Sequence, residues 1–319
     1  MMSKRKKSFS KLMLAMSAIL LASTSVAQIT AHDLVDRMFE VSKRLNYSGV
    51  FSYEANRIKR NVKVSHQVLD GYAYERISYL DRVVKDQLRK SLLEGCSDRN
   101  DNRYELQQHY RFNVLGEYRV AGRQAYRIQV LPIDNLRYGF LFGVDKLTGL
   151  MLQSSLLSHS GRMLENFEYV DIQFESKPAT PVEIRFSDKF AQVDTETCGG
   201  YQQQESLIPI KWVARWVPPG FVRSTQRFVN EDRVSLFYTD GISVFSVLID
   251  DSPVSSEYPI LTANVGPTKM MMASYRHNGR NYRITVSGQM PQATVRRIIS
   301  SVRPMAVSLN AINTGSAGQ

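Results

Sequence analysis

Asp-Gly turns between runs of strand-forming residues constrain the fold of this 319-residue sequence more than any other feature. Asp70-Gly71 and Asp240-Gly241 each interrupt a segment rich in β-branched and aromatic residues. A two-residue Asp-Gly loop favours a tight β-hairpin, because glycine accepts the positive φ that such a turn requires. The sequence therefore predicts antiparallel strands in both halves of the chain.

Two amphipathic segments predict helices beside these strands. Thr30 and Asp33 mark a helix N-terminus, and apolar residues then recur at helical spacing as far as Asn46. Pro291 opens a second helix that closes near Val302, because a proline costs little at an N-terminal helical position. One helix followed by a long antiparallel meander favours a curved sheet around a helix, with an apolar concavity open to an acyl chain or a partner segment.

The first 27 residues have the features of a signal peptide. Five of the 41 basic residues lie within the first eleven positions, and the apolar run Leu12–Ala22 follows them. Ser25-Val26-Ala27 supplies the small residues that precede a cleavage site, so we expect export to an oxidising compartment with cleavage near Ala27. The other 36 basic and 30 acidic residues leave a net charge of +6. That charge is too small to indicate a nucleic-acid binder.

Cys96 and Cys198 are the only cysteines of the sequence. In an exported chain such a pair favours a disulfide over a metal site or a catalytic thiol, with two free thiols as the alternative. Cys96 lies in a polar, turn-rich segment, and Cys198 lies in a soft region that we interpret as a linker. The predicted organisation is a signal peptide (1–27), a large domain (28–187), the linker (188–210), a small C-terminal domain (211–308) and a flexible tail (309–319).

Motifs of catalytic sites do not occur in the sequence. It contains no G-x-S-x-G, H-E-x-x-H, P-loop or G-x-G-x-x-G pattern. Ser158-His159-Ser160 is not a candidate for nucleophilic catalysis, because adjacent strand residues point to opposite faces. Five histidines and two cysteines make a dense metal site improbable, and without a catalytic motif we expect no cofactor and no enzymatic activity.

Several blocks of sequence resemble one known family. In the C-terminal part they are Trp216–Phe221, Phe237–Val247 and Ile284–Ile298. In the N-terminal part they are Leu45–Phe51, Val120–Arg123 and Tyr138–Tyr169, the last containing Asp145-Lys-Leu-Thr-Gly-Leu150. Over nearly all of the chain after the signal peptide, and in the same order, the sequence resembles the RseB/MucB family of periplasmic regulators of the extracytoplasmic stress sigma factor.

The resemblance implies an α+β protein with a large domain similar to LolA and LolB. That domain would be a half-open antiparallel β-barrel around helices, followed by a smaller α+β C-terminal domain. The implied function is to bind the periplasmic part of a membrane-spanning anti-sigma factor and hinder its regulatory proteolysis, with relief by lipopolysaccharide or lipoprotein acyl chains.

The alternative is a periplasmic lipid or lipoprotein carrier or chaperone. A plain carrier needs only the concave sheet, so the additional small domain favours the regulator. No nucleic acid is expected as a partner, and a homo-oligomer is left open.

Three sets of residues are candidates for binding sites. The aromatic candidates for partner binding are Trp216, Phe221 and Tyr238, with core packing as the alternative role. The candidates for an apolar lipid cavity are Val50, Val64, Ile128, Phe140, Phe142 and Leu152. The candidates for holding an anionic headgroup are Arg57, Lys59 and Arg60, with a solvated basic strand end as the alternative.

Overall fold

The computed structural model describes residues 30–41, 44–69, 72–81, 87–92, 106–175, 193–194, 212–230, 233–251 and 259–305. The predicted signal peptide, both cysteines and the predicted tail lie outside these residues, as does the predicted linker except for residues 193–194. The disulfide and the domain boundaries therefore stay predictions. Within the described ranges, every helix is too short or too polar to cross a membrane.

Ten strands form a large sheet in the N-terminal part. They are β1 (Tyr47–Ala55), β2 (Ile58–Leu69), β3 (Tyr72–Tyr79), β4 (Gln87–Leu92), β5 (Tyr110–Val120), β6 (Arg123–Pro132), β7 (Gly139–Asp145), β8 (Met151–Leu157), β9 (Met163–Phe174) and β10 (Val193–Asp194). Their order is β10-β4-β3-β2-β1-β9-β8-β7-β6-β5. Neighbours are antiparallel except β10 and β4, which are parallel. The pairing of β1 with β9, with Tyr47 opposite Phe174, joins two runs of hairpins into one sheet.

Helix α1 (Ala31–Val41) covers one part of this sheet, and a short helix α2 (Leu106–His109) precedes β5. Buried α1 side chains share a core with strands β5, β6 and β7: Leu34, Val35 and Met38 on α1, and Tyr110, Ile128, Val130, Phe142 and Val144 on the strands. Helix α1 ends at Val41 and not near Asn46 as expected. Arg44 lies in a turn, and the backbone N–H groups of Arg44 and Leu45 both donate to the Val41 carbonyl, at 3.0 and 3.3 Å.

The described residues of the C-terminal part form a small sheet and a helix. Its strands are β12 (Val222–Asn230), β13 (Arg233–Thr239), β14 (Val244–Asp251), β15 (Leu261–Val265), β16 (Thr268–His277) and β17 (Arg280–Gly288), in the order β12-β13-β14-β17-β16-β15. Strands β11 (Trp212–Ala214) and β18 (Val302–Pro304) pair beside it. Helix α3 (Gln292–Ser301) follows Pro291 at its N-cap and buries Val295, Ile298 and Ile299 in the small-sheet core. The predicted α+β class, with a large antiparallel sheet and a smaller C-terminal unit, is confirmed.

The turn between β7 and β8 is stabilised by the buried carboxylate of Asp145. Arg123 donates two hydrogen bonds of 2.9 Å to its two oxygens, and Thr148 donates from its backbone N–H and its hydroxyl at 2.8 and 2.7 Å. Burial alone raises the pKa of Asp145, but the bonds from Arg123 and Thr148 outweigh it and hold this pKa below its ordinary value.

The lowered pKa of Asp145 gives a pH-dependent contribution to stability. A carboxylate with a lower pKa in the folded state stabilises it above the unfolded pKa of about 4, and this stabilisation is lost as the pH falls through the folded pKa. We expect Asp145→Asn to lower the free energy of unfolding at pH 7 by about 1–3 kcal/mol. Urea unfolding should show this difference shrinking at pH 3, and a difference that widens there would contradict the assignment.

Packing of α1 on the large sheet is tested with two leucines of opposite exposure. Leu34 on α1 is 3% exposed, whereas Leu147 in the β7–β8 turn is 77% exposed. Leu34→Ala should lower the free energy of unfolding by about 2–5 kcal/mol, because it opens a cavity in the core. The matched control Leu147→Ala should stay within about 0.5 kcal/mol. A loss for Leu34→Ala as small as that for Leu147→Ala, measured by urea unfolding, would show that α1 is not part of the core.

Candidate functional site

The two sheets meet where the β6–β7 loop, residues 133–138, reaches the Asp240-Gly241 turn between β13 and β14; we call this contact region the junction. The loop takes its shape from Asp134, whose carboxylate accepts a hydrogen bond of 2.9 Å from the backbone N–H of Leu136. Such a bond two residues onward is typical of an aspartate turn. The same carboxylate binds Arg137, with 3.0 Å between Asp134 Oδ2 and Arg137 Nη2. The loop therefore holds Arg137 in a fixed direction.

Arg137 crosses the junction with a side chain that is 0% exposed. Its Nη1 donates to Asp240 Oδ2 at 2.5 Å, and its Nη2 donates to the Pro219 carbonyl, also at 2.5 Å. The rings of Tyr110 and Phe221 lie near the guanidinium, with centroids 5.4 and 5.1 Å from its carbon. The cation is thus paired and hydrogen-bonded, as burial of a charge requires, and two aromatic rings lie beside it.

Asp240 receives bonds from both sides of the junction. Its Oδ2 accepts from Arg137 and, at 2.8 Å, from the Tyr110 hydroxyl, while its Oδ1 accepts from the backbone N–H groups of Ile242 and Ser243 at 3.1 and 2.7 Å. Burial and the negative charge of Asp240 raise the pKa of Tyr110 well above its ordinary value, so its hydroxyl stays a donor. The aspartate of a hairpin turn therefore also joins the two sheets.

Close packing surrounds these polar bonds. Gly220 has a φ of +83° and lies against the imidazole of His109, which a Cβ at this position would overlap. Leu106, which is 1% exposed, lies beside Gly241, whose φ is +98°. Both glycines thus combine a left-handed backbone with a close approach between the sheets.

A cleft of about 360 Å³ lies at the junction. Its lining residues come from both sheets: Phe140 from β7, and Ile242, Ser243, Val244, Thr268, Gly288 and Gln289 from the small-sheet part. Gln289 also donates a hydrogen bond of 2.9 Å to Glu165 on β9, which accepts a second bond from Tyr53 at 2.8 Å. Phe140 alone forms the large-sheet wall of this junction cleft, and the other six lining residues form the small-sheet wall. Clefts between two packed units are common places for ligands.

A second cleft of about 350 Å³ lies at the end of the large sheet. It is lined by Glu54, Ala55, Asn56, Arg57, Arg162, Met163, Leu164, Glu165 and Asn166. Asn56 and Arg57 have φ values of 53° and 65°, so they form a tight turn between β1 and β2 that the sequence patterns did not indicate. The cleft carries both charge signs, two arginines and two glutamates, and is not a purely cationic site.

The aromatic candidates for partner binding are mostly core residues. Phe221 and Tyr238 are 5% and 3% exposed and pack on Phe245, with ring centroids 5.3 and 4.8 Å away. Neither side chain is accessible to a partner in this conformation, so both have the alternative role, core packing. Trp216 is half-buried, and the guanidinium carbon of Arg297 lies 3.9 Å from its ring centroid.

The lipid-cavity candidates do not line one open space. Ile128 and Phe142 pack in the core beneath α1, and Val64 and Leu152 lie in a second buried cluster with Tyr47 and Tyr169. Phe140 lines the junction cleft.

The assignment of Val50 to the same cavity as Val64 has to be corrected. It lies opposite Lys63 on β2 and Asp171 on β9, both exposed, whereas Val64 lies opposite Gly49. Since alternate strand residues face opposite sides, Val50 and Val64 lie on different faces of the sheet.

The predicted headgroup residues are also divided between faces. Lys59 lies opposite Glu54 and is exposed, whereas the next residue, Arg60, lies opposite Tyr53 and is half-buried. Because neighbouring strand residues point to opposite faces, Lys59 and Arg60 cannot hold one headgroup together. Arg57 is exposed and lines the second cleft with Arg162, a neighbour that the sequence did not suggest.

Sequence reasoning missed Arg137, the central side chain of the junction. An arginine in a short loop between strands is usually solvated, and its partner Asp240 lies 103 positions away, so no local pattern marks the pair. Asp240 was identified only as a turn residue. Among the residues that the structure describes, no group of three or more His, Cys, Asp or Glu side chains is placed to hold a metal ion.

Comparisons with known sequences agree with this two-part architecture. The family model for the MucB/RseB N-terminal domain matches residues 30–103 and 82–188, and that for the MucB/RseB C-terminal domain matches residues 207–303. The sigma factor AlgU regulatory protein MucB of Pseudomonas aeruginosa is 28% identical over 311 residues, covering 91% of this chain and 96% of MucB. The sigma-E factor regulatory protein RseB of Haemophilus influenzae is 25% identical over 314 residues, covering 91% and 96%.

Solved structures show the same arrangement of the chain. A crystal structure of MucB in complex with MucA(peri) superposes with a TM-score of 0.65 at 28% identity, covering 87% of this chain and 100% of that one. The complex structure of Pseudomonas aeruginosa MucA/MucB gives 0.65 at 27% identity, covering 87% and 99%. Because the two domain models match most of the sequence in consecutive order, the chain belongs to the MucB/RseB family.

Proposed function

We propose that this chain is a periplasmic regulator that binds the periplasmic region of a membrane-spanning anti-sigma factor and protects it from regulatory proteolysis. The observation that carries the proposal is the match to both domains of a family whose members are named as sigma-factor regulators. The relative MucB has been crystallised with MucA(peri), which supports a partner of this class.

The junction cleft is the surface that we propose for the partner. It combines apolar side chains, Phe140, Ile242 and Val244, with the polar groups of Ser243, Thr268 and Gln289. Val244 is 53% exposed although it is apolar. An extended segment of the anti-sigma factor would bury these side chains against its own apolar groups, while the polar groups bond its backbone.

The cleft proposal is tested by placing a charge on its wall. We expect Val244→Asp to weaken binding of the purified periplasmic anti-sigma region at least tenfold, because the carboxylate loses its water on binding. Calorimetry measures the affinity, and the cleavage rate of the anti-sigma region by its regulatory protease measures protection. The affinity should fall and the cleavage rate should rise together.

Val170→Asp is the matched control, because Val170 on β9 is 61% exposed and lies outside the lining of the cleft. This variant should bind and protect as the wild type does. Equal losses in the two variants would place the partner elsewhere. No binding by the wild-type protein would contradict the proposed function itself.

Relief by lipid is a further part of the proposed function. Ile128 and Phe142 already pack beneath α1, so an acyl chain entering the predicted cavity has to displace that helix. Each buried CH₂ group contributes about 0.8 kcal/mol, so a long chain can supply the energy for such a displacement. If lipid and partner favour different conformations, each weakens the binding of the other by the same factor.

Titration of the complex with lipopolysaccharide tests this coupling. We expect the affinity for the anti-sigma region to fall as lipopolysaccharide is added, whereas phosphatidylcholine vesicles of equal acyl concentration should leave it unchanged. A calorimetric affinity that is constant at saturating lipopolysaccharide would contradict relief by lipid while leaving partner binding intact.

A further inference from the structure

The junction differs from an ordinary packing contact because a fully buried charge pair spans it. Arg137 belongs to the large sheet and Asp240 to the small sheet, and both side chains of the ion pair are 0% exposed. A buried ion pair is tolerated only with good geometry and satisfied hydrogen bonds, so it adds a directional requirement to the close packing around it. The pair therefore favours the relative position of the two sheets in which it forms.

Arg137 and Asp240 are each held by further bonds within their own part of the fold. Asp134 binds the guanidinium from within the loop, and the His159 ring donates through Nε2 to the Arg137 carbonyl at 2.9 Å. On the other side, Asp240 is fixed by the backbone N–H groups of Ile242 and Ser243. Each side chain is thus fixed to its own part of the fold. The bond between them therefore links the position of the β6–β7 loop to that of the β13–β14 turn.

The same bonds determine the geometry of the junction cleft. Arg137 is three residues before Phe140, which forms one wall, and Asp240 binds the N–H groups of Ile242 and Ser243, which belong to the other. A shift of the ion pair therefore changes the distance between the two walls. We propose that Arg137 is the positioning residue of this cleft, fixing the arrangement of the two sheets in which the partner is bound.

The part of this inference that concerns the partner rests on the proposed function, whereas the part that concerns the arrangement of the sheets does not. The experiment therefore measures both, with the whole mature chain. Small-angle X-ray scattering gives the radius of gyration of the free protein. Calorimetry gives the affinity for the periplasmic anti-sigma region, and urea unfolding gives the stability of each variant.

Two variants distinguish positioning from stability alone. Arg137→Met leaves Asp240 buried without its cation, so it should lower stability, increase the radius of gyration and weaken partner binding at least tenfold. The double variant Arg137→Met/Asp240→Asn removes both charges and should recover stability, because no unpaired charge is then buried. We expect its radius of gyration to remain larger and its binding to remain weak.

Arg123→Met is the control, because Arg123 forms an ion pair with the buried carboxylate of Asp145, through two hydrogen bonds of 2.9 Å, inside the large sheet. It should lower stability while leaving the radius of gyration and the affinity unchanged. Recovery of the affinity together with stability in the double variant would reduce Arg137 to a structural role and overturn the inference. Unchanged scattering in Arg137→Met would overturn it too, even if the wild-type protein failed to bind the anti-sigma region.

Discussion

One buried ion pair, between Arg137 and Asp240, lies at the centre of the contact between the two sheets. Burying two charges is costly, and their attraction offsets that cost only when the geometry is right and the remaining hydrogen bonds are made. Here the carboxylate accepts bonds from Arg137, from the Tyr110 hydroxyl and from two backbone N–H groups. Because the two charges come from different sheets, these conditions are met in only one arrangement. This arrangement of the sheets defines the shape of the junction cleft.

Local sequence patterns predicted the elements well, because turns and amphipathic helices depend on neighbouring residues. The Asp240-Gly241 hairpin and the helix after Pro291 are examples. Such local patterns do not predict which strands far apart in the sequence pair with each other. The contact of β1 with β9 brings Tyr47 opposite Phe174, and the hairpins themselves do not specify which of their outer strands will meet. The order of the strands is therefore a property of the whole chain.

The candidate sites were less predictable than the fold, for two physical reasons. First, hydrophobicity does not distinguish a buried aromatic from an exposed one, so Phe221 and Tyr238 were candidates for partner binding although they pack in the core. Second, the face of a strand residue is set by its register, and the pairing of β1 with β2 places Val50 opposite Lys63 and Gly49 opposite Val64, which the separate strand patterns do not specify. The burial of Arg137 depends on a partner 103 positions away, and no local sequence pattern predicts that pair.

Hydrogen–deuterium exchange of the free protein and of its complex with the periplasmic anti-sigma region tests most directly whether the junction is where the partner binds. If the partner occupies the cleft between sheets held by Arg137 and Asp240, backbone amides of residues 136–144 and 240–246 should exchange more slowly in the complex. Protection confined to other segments, with unchanged exchange in these two, would contradict a partner site at the junction.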